Sequence, residues 1–286
     1  MKFTKMQGCG NDYIYVNCFE ESIDDFSKTA VVVSDRHFGI GSDGLICICP
    51  SQKADFRMRI FNADGSEGQM CGNGIRCVAK YVYDHHMTDQ TVITVETLAG
   101  IKKLTLFPEN GKVKKVTVNM GSPIFDPEKI PACIPNCKDS MLLQEPVTVS
   151  LEGEQTTNLV NILSMGNPHA VIRTESVDAV SLEKIGPLYE NHSYFPERIN
   201  TEFIEVLDRG NIRMRVWERG AGETLACGTG SCASVVTCVK NGWTDEHVTV
   251  HLLGGDLEIF YDQVENTVWM TGPAVTVCSG EIDLNV

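Results

Sequence analysis

The sequence has no apolar run long enough to cross a bilayer. Its longest, at 30–33 and 45–49, fall far short of the roughly 20 residues a spanning helix needs. The opening MKFTKMQGCGND lacks the apolar stretch of a secretory leader. Both absences set the expectation of a cytoplasmic protein with no membrane partner. There is no Lys/Arg cluster either: 24 basic side chains stand against 38 acidic ones, for a net charge of −14. A nucleic-acid surface needs a basic stripe, so no nucleic-acid partner is expected. No Cys-x-x-Cys occurs, and the closest pairs are Cys47-x-Cys49 and Cys133-x-x-x-Cys137. The usual structural-zinc spacings are therefore missing, and no metal is expected. The Gly-rich loops are not followed by Lys-Ser/Thr, which argues against a phosphate-binding P-loop.

Cysteine, by contrast, is abundant. Twelve occur in 286 residues, too many to ignore in a chain that is neither short nor marked for secretion. Cys18, Cys47, Cys49, Cys238 and Cys278 lie among apolar neighbours and read as small buried hydrophobes. Hydrophobic residues at 42% and charged residues at 22% describe a soluble globular chain with room for two cores.

Patterning along the chain places most elements. Residues 1–6 alternate and read as an edge strand, followed by a turn at 7–12 and a strand at 13–17. Asp24 is positioned to cap a helix from 26 to about 36, which Gly39 and Gly41 stop. Short strands follow at 45–49 and 56–61, and a helix at 73 to about 83 carries Ile75, Val78, Ala79 and Val82 at helical spacing. Strands at 91–97, 101–107 and 113–120 are linked by hairpin turns at Gly100 and Asn110-Gly111. Residues 125–146 hold four prolines and no usable period; they read as a linker or surface excursion near a domain boundary.

The second half repeats the first. MRIFNADGSEGQMCGNG at 58–74 aligns without a gap on MRVWERGAGETLACGTG at 214–230, an offset of 156 (227 − 71). The same offset carries Gly10-Asn11 onto Gly166-Asn167, and the first helix onto 181–189. A slightly shorter one carries Ile93-Thr94-Val95 onto Val248-Thr249-Val250 and Gly100 onto Gly255. So long a period means duplication of a whole domain, each copy with antiparallel strands around one helix. In each copy a cysteine, Cys71 or Cys227, precedes Gly-x-Gly and a helix. Its sulfur would lie near unpaired backbone N–H groups and the positive end of the helix dipole, an environment that favours thiolate. The same N–H groups suit a carboxylate. Two such walls facing one stereocentre would let one sulfur remove an α-proton while the other returns a proton from the opposite face. Other chemistries are open to single cysteines. An acyl-transferring thiol could use His169 as base, but that leaves Cys227 unexplained, and redox dithiols are usually spaced Cys-x-x-Cys.

The chain resembles the diaminopimelate epimerase family. The motifs are GNDY at 10–13, GIGSDG at 39–44, FNADGSE at 61–67, CGNGIRC at 71–77, SMGNPH at 164–169, FPERIN at 195–200, ERGAGET at 218–224 and ACGTGSC at 226–232. These run through essentially the whole chain; proline racemases share the paired-cysteine logic but with different cysteine motifs. The resemblance implies pyridoxal-independent interconversion of LL- and meso-2,6-diaminoheptanedioate, for lysine and cell-wall precursors, with no cofactor. It implies an α+β fold of two pseudo-symmetric domains, each a strand barrel or roll around a central helix. The expected domains are 1–120 with 274–286, and 121–273, the C-terminal strand near 274–278 returning to the first. Cys71 and Cys227 become the acid/base pair, and His169 and Glu218 orient the reacting amine and tune the thiols. Gly72-Asn73 and Gly228-Thr229 hold the reacting carboxylate. Asn11, Asn62, Asn167, Asn200 and Arg219 hold the substrate's amino and carboxylate groups, with Glu218 also in contact and the Arg219 fork suited to the distal carboxylate. Family members are often homodimers. One departure stands out: some relatives have Gln where this chain has Gly44, so a side-chain contact from that position is absent here. Another amino-acid racemase, or a binding protein that has lost the chemistry, are the competing expectations.

Overall fold

In the computed structural model, which describes residues 1–135 and 141–284, the chain forms two compact units, Met1–Asn119 with Thr271–Val286, and Met120–Met270. The first contains β1 (Lys2–Gly8), β2 (Asn11–Asn17), α1 (Phe26–Ser34), β3 (Gly44–Cys49), β4 (Phe56–Asn62), β5 (Glu67–Gly68), α2 (Gly72–Asp84), β6 (Val92–Thr97), β7 (Gly100–Glu109) and β8 (Lys112–Gly121). The second contains β9 (Leu142–Leu151), β10 (Glu154–Ser164), β11 (Pro168–Arg173), α3 (Leu182–Glu190), β12 (Asn200–Asp208), β13 (Asn211–Glu218), β14 (Gly222–Thr224), α4 (Gly228–Lys240), β15 (His247–Leu252), β16 (Gly255–Asp262) and β17 (Thr267–Pro273). The final strand, β18 (Val275–Glu281), pairs antiparallel with β1, so the last residues belong to the first unit.

The internal repeat extends to the pairing pattern. In the first unit β1 pairs antiparallel with β2, β2 parallel with β3, β3 antiparallel with β4, and β4 parallel with β6. In the second, β10–β11, β11–β12, β12–β13 and β13–β15 repeat those four relationships in the same order. β9 takes beside β10 the place that β18 takes beside β1.

Each unit is wrapped around its cysteine helix. Residues 72–82 of α2 and 230–239 of α4 are all buried, as expected for helices enclosed by strands rather than laid on a surface. Complete enclosure forces charged side chains of α2 to find partners inside. Arg76, fully buried, donates to the carbonyls of Gly72 and Pro273 at 3.1 Å. Lys80 bonds Asp84 Oδ2 at 2.6 Å and the Val113 carbonyl at 2.8 Å. α4 avoids the problem by using small residues, among them Ser231, Ala233 and Ser234. The shorter helices pack outside: α1 presents Ala30 and Val33 to a cluster with Ile14, Val16, Leu45 and Phe61, and α3 presents Leu182 and Tyr189 to Ile172, Phe195 and Phe203.

Several sequence expectations require correction. β1 is not an edge strand, because β2 and β18 flank it on both sides. The cap of α1 is Asp25, whose carboxylate accepts from Lys28 N at 3.0 Å, and not Asp24. Residues 125–146 are not merely a linker: Ile130 and Leu142 are buried in the core of the second unit, and β9 runs through Pro146. Cys278 is exposed and Cys18 and Cys49 are half-buried, whereas Cys47 and Cys238 are buried as expected. The Asn110-Gly111 turn does form, with φ of 51° and 75°, the two left-handed residues a tight hairpin requires. Cys133 is exposed, and Cys137 lies outside the described residues.

Candidate active site

The residues singled out in the sequence gather in two clusters, one in each unit. In the first, α2 begins at Gly72 and Cys71 is its N-cap, with φ −132° and ψ 121°. Its sulfur fills the role normally taken by a Ser, Thr, Asp or Asn oxygen and accepts from Gly74 N at 3.3 Å. Cys71 Sγ in turn donates to Asn11 Oδ1 at 3.3 Å. The orientation of that amide is set from behind: Asn11 Nδ2 donates to Asp43 Oδ2 at 2.7 Å, an acceptor that obliges the NH2 to face it. Arg36 ties Asp43 to Asp12, at 2.9 and 3.1 Å. Asn73 is buried in the first turn of α2, while Asn62 is exposed at the end of β4 and donates to Ser66 Oγ at 3.0 Å. Asp43, which anchors Asn11, was not among the expected residues; a side chain acting through an amide has no motif of its own.

In the second cluster α4 begins at Gly228 and Cys227 is its N-cap, accepting from Gly230 N at 3.4 Å with Thr229 Oγ1 at 3.5 Å. Burial works against the acidic thiol that the sequence suggests at this helix start. Burial pushes the Cys227 thiol well above its ordinary value, and the carboxylates of Glu218 and Glu202 push it further; the Thr229 and Gly230 donors oppose this without reversing it. Burial likewise raises the Glu218 carboxyl, against the Thr224 hydroxyl that donates to it. His169 is fully buried, with Nδ1 2.7 Å from Glu202 Oε1 and Nε2 3.0 Å from Asn167 Oδ1. Asn200 donates to the Pro168 carbonyl at 2.9 Å and accepts from Arg219 N at 2.9 Å. Arg219 is half-buried, and its guanidinium donates to the Glu197 carbonyl at 3.0 Å.

Two further features were missed by sequence reasoning. Glu190 is buried and fully engaged: Arg198 Nη1 and Gly220 N donate to Oε1, and Trp217 Nε1 donates to Oε2 at 2.7 Å. It pins the turn that carries Glu218 and Arg219. The aligned pairs Arg59/Arg215 and Glu67/Glu223 prove to be a repeated clamp. Arg59 Nε and Nη2 reach Glu67 at 2.8 and 3.1 Å, and Arg215 does the same to Glu223 at 2.7 and 3.0 Å. Each forked bridge ties the strand before the Gly-rich loop to the short strand within it, and so fixes the approach to the cysteine. Among the described residues, no group of three or more His, Cys, Asp or Glu is gathered to hold a metal ion.

A sequence model of diaminopimelate epimerase matches residues 3–125 and 161–277. Over nearly its full length the chain is 59% identical to a diaminopimelate epimerase of Agathobacter rectalis, covering 99% of this chain and 100% of that one. The chain belongs to the diaminopimelate epimerase family. A family member from Methanococcus maripaludis is 53% identical, with 99% and 100% covered. Among solved structures, a probable proline racemase from Agrobacterium radiobacter matches with a TM-score of 0.69 at 15% identity, covering 99% of this chain and 93% of that one. A PhzF-family phenazine biosynthesis protein from Bacillus anthracis gives 0.69 at 17%, with 99% of both covered. These distant likenesses fix the α+β fold shared by family members. Their low identity carries nothing about substrate.

The first cluster makes a pH-dependent contribution to stability. Burial would raise the Asp12 carboxyl, but hydrogen bonds from Lys5 and Arg36 outweigh it and hold the carboxyl below its ordinary value. A depressed folded-state value stabilises the fold above the unfolded carboxyl's range, near pH 4, and that stability is lost as pH falls through the folded value. Asp12→Asn is therefore expected to lower the urea midpoint at pH 7 by an amount equivalent to about 1 kcal/mol, with allowance for solvent screening. The difference from the parent should shrink at pH 3. An equal loss at both pH values would assign Asp12 a purely steric role.

Proposed function

We propose that this protein is a cofactor-independent epimerase interconverting LL- and meso-2,6-diaminoheptanedioate, with Cys71 and Cys227 as its two bases. The observation that carries the reading is the repeated placement of a sulfur as N-cap of an enclosed helix, once in each unit. Backbone N–H groups at Gly72-Asn73 and Gly228-Thr229 are the donors for the carboxylate next to the reacting carbon.

The proton balance is simple. One cysteine, as thiolate, takes the α-proton, and the electron pair left on carbon spreads onto the carboxylate held by those N–H groups. The other cysteine, as thiol, gives its proton to the opposite face. The configuration is inverted and the two sulfurs have exchanged protonation states. No electron-sink cofactor takes part in this scheme, so the weak acidity of the C–H bond is met by fixed dipoles and exclusion of water. Asn11, Asn62, Asn167 and Asn200 bind the substrate's amino and carboxylate groups in this reading. Arg219 takes the distal carboxylate, and His169 and Glu218 orient the amine and adjust the thiols.

The substrate is a small zwitterion, and the protein works in the cytoplasm without nucleic-acid or membrane partners. The net charge of −14 speaks against a nucleic-acid surface, and among the described residues no helix is long and apolar enough to cross a bilayer. A homodimer is part of the proposal, supported by β18, exposed along its whole length with Val275 and Val277 facing out.

Turnover in deuterated water is expected to place deuterium on the α-carbon of the epimerised product. Analogues lacking the distal carboxylate should fail to turn over. Efficient racemisation of a monocarboxylic amino acid in a chiral assay would instead make the protein a racemase of another substrate. Absence of any α-hydrogen exchange with diaminoheptanedioate would overturn the reading.

A further inference from the structure

Ile46 and Glu202 hold the same place in the two units. Each is the third residue of its strand, β3 and β12, and each is fully buried. Each lies hard against the last glycine of its cysteine motif. A Cβ built on Gly74 would stand 2.5 Å from Ile46 Cδ1, and one built on Gly230 would stand 2.5 Å from Glu202 Oε1. The fold thus solves one packing problem twice, with a hydrocarbon behind Cys71 and a carboxylate behind Cys227. Ile46 demonstrates that the architecture has no need of a charge at this position. The carboxylate is also costly: Oε1 meets His169 Nδ1, but Oε2 is buried with no hydrogen-bond partner among the described residues. A buried, half-satisfied carboxylate where an isoleucine would serve calls for a chemical reason.

Gly230 supplies the connection. Its N–H donates to Cys227 Sγ, and its α-carbon abuts the Glu202 carboxylate, so charge and sulfur share one residue between them. We propose that Glu202 is a positioning residue that makes the two thiols unequal. Acting across Gly230, beside the Glu218 carboxyl, it favours the thiol form of Cys227 in the free enzyme, so that the epimer taken up by that form meets Cys227 as proton donor and Cys71 as base, and the reverse direction starts from the exchanged form. The inference rests on the two-base reading above. The groups acting on Cys227 are the Glu218 carboxyl from β13, Glu202 from β12, and the Thr229 hydroxyl and Gly230 N–H of its own helix, with His169 of β11 behind Glu202. Both carboxylates oppose thiolate formation, and burial does so more strongly still.

The test is a titration of the Cys227 sulfur by ultraviolet thiolate absorbance. The parent minus Cys227→Ser is compared with Glu202→Gln minus Glu202→Gln/Cys227→Ser. Removing the charge is expected to lower the Cys227 midpoint by about one pH unit or more, while the Cys71 titration, isolated in the same way with Cys71→Ser, stays in place. A merely structural role would lower the melting temperature without moving either titration. Glu202→Ile, which copies the Ile46 arrangement, serves as second variant and should shift Cys227 in the same direction. An unmoved Cys227 midpoint in a folded variant would overturn the proposal. So would loss of native circular dichroism in both variants, because the carboxylate would then be a structural requirement. None of these readouts needs turnover, so a wrong substrate assignment would leave the titration result standing and would show itself in the deuterium experiment.

Discussion

Replacing either Cys71 or Cys227 with alanine is expected to reduce epimerisation by at least about 10³-fold, the range for loss of a positioned acid or base. The loss should be similar for the two variants despite their different surroundings. Inversion needs a proton removed on one face and supplied on the other, so neither sulfur can stand in for its counterpart. Stability should change little: each sulfur contributes one weak cap interaction, at 3.3 Å from Gly74 N and 3.4 Å from Gly230 N. Serine is the informative control, because it restores the cap with a better acceptor but is a far weaker acid and base. Cys71→Ser should therefore keep the fold and remain inactive. Chiral chromatography of the diaminoheptanedioate isomers over time measures the rates, and near-parent epimerisation by either alanine variant would end the two-base scheme.

Substituting glutamine for Gly44 is expected to damage the fold rather than supply the contact that this chain lacks. A Cβ at Gly44 would stand 2.1 Å from the Phe61 carbonyl oxygen and 2.9 Å from Tyr13 Cε1. The first of these is backbone of the adjacent strand β4, paired in register with β3, and it cannot swing away as a side-chain tip could. Separating the strands also disturbs Asp43, whose carboxylate orients Asn11 toward Cys71. Overpacking of this kind costs about 3 kcal/mol at the upper end of the usual range. At roughly 2–4 °C per kcal/mol for a domain of this size, the melting temperature should fall by about 6–12 °C. Activity should fall with it. A stable Gly44→Gln protein with stronger substrate binding would mean that β3 and β4 part easily at this point.

The way these elements are built explains which parts of the sequence were readable. The junctions at Cys71 and Cys227 are local events, in which a strand pattern, a Gly-rich turn and a helical period meet within a few residues. Such junctions can be read directly from the chain. The strands β6, β7 and β8 were equally legible, because alternation and tight turns define hairpins without reference to the rest of the fold. Glu202 was not legible. In NTEFIEVLD it follows two polar residues at the start of the strand and reads as part of an exposed entry, and only the covering by α4 and the parallel neighbour β11 buries it. Glu190 looks like an exposed helix end for the same reason, although Trp217, Arg198 and Gly220 converge on it from distant positions. The pairing of the two Arg–Glu clamps was visible as a repeat but not as a contact. The expectation of an acidic thiol at Cys227 counted the helix start and could not count the burial and the carboxylates that only tertiary structure brings beside that sulfur.

The pairing of β1 with β18 bears on how the protein is made. Lys2 lies opposite Glu281, so the outer side of the first strand stays bare until β18 has left the ribosome. The middle unit, continuous from Met120 to Met270, has all its strands available sooner. Translation order therefore runs against assembly order: the portion synthesised first is completed last, and during that interval a strand with a free hydrogen-bonding margin is the segment most exposed to mispairing or to capture by chaperones.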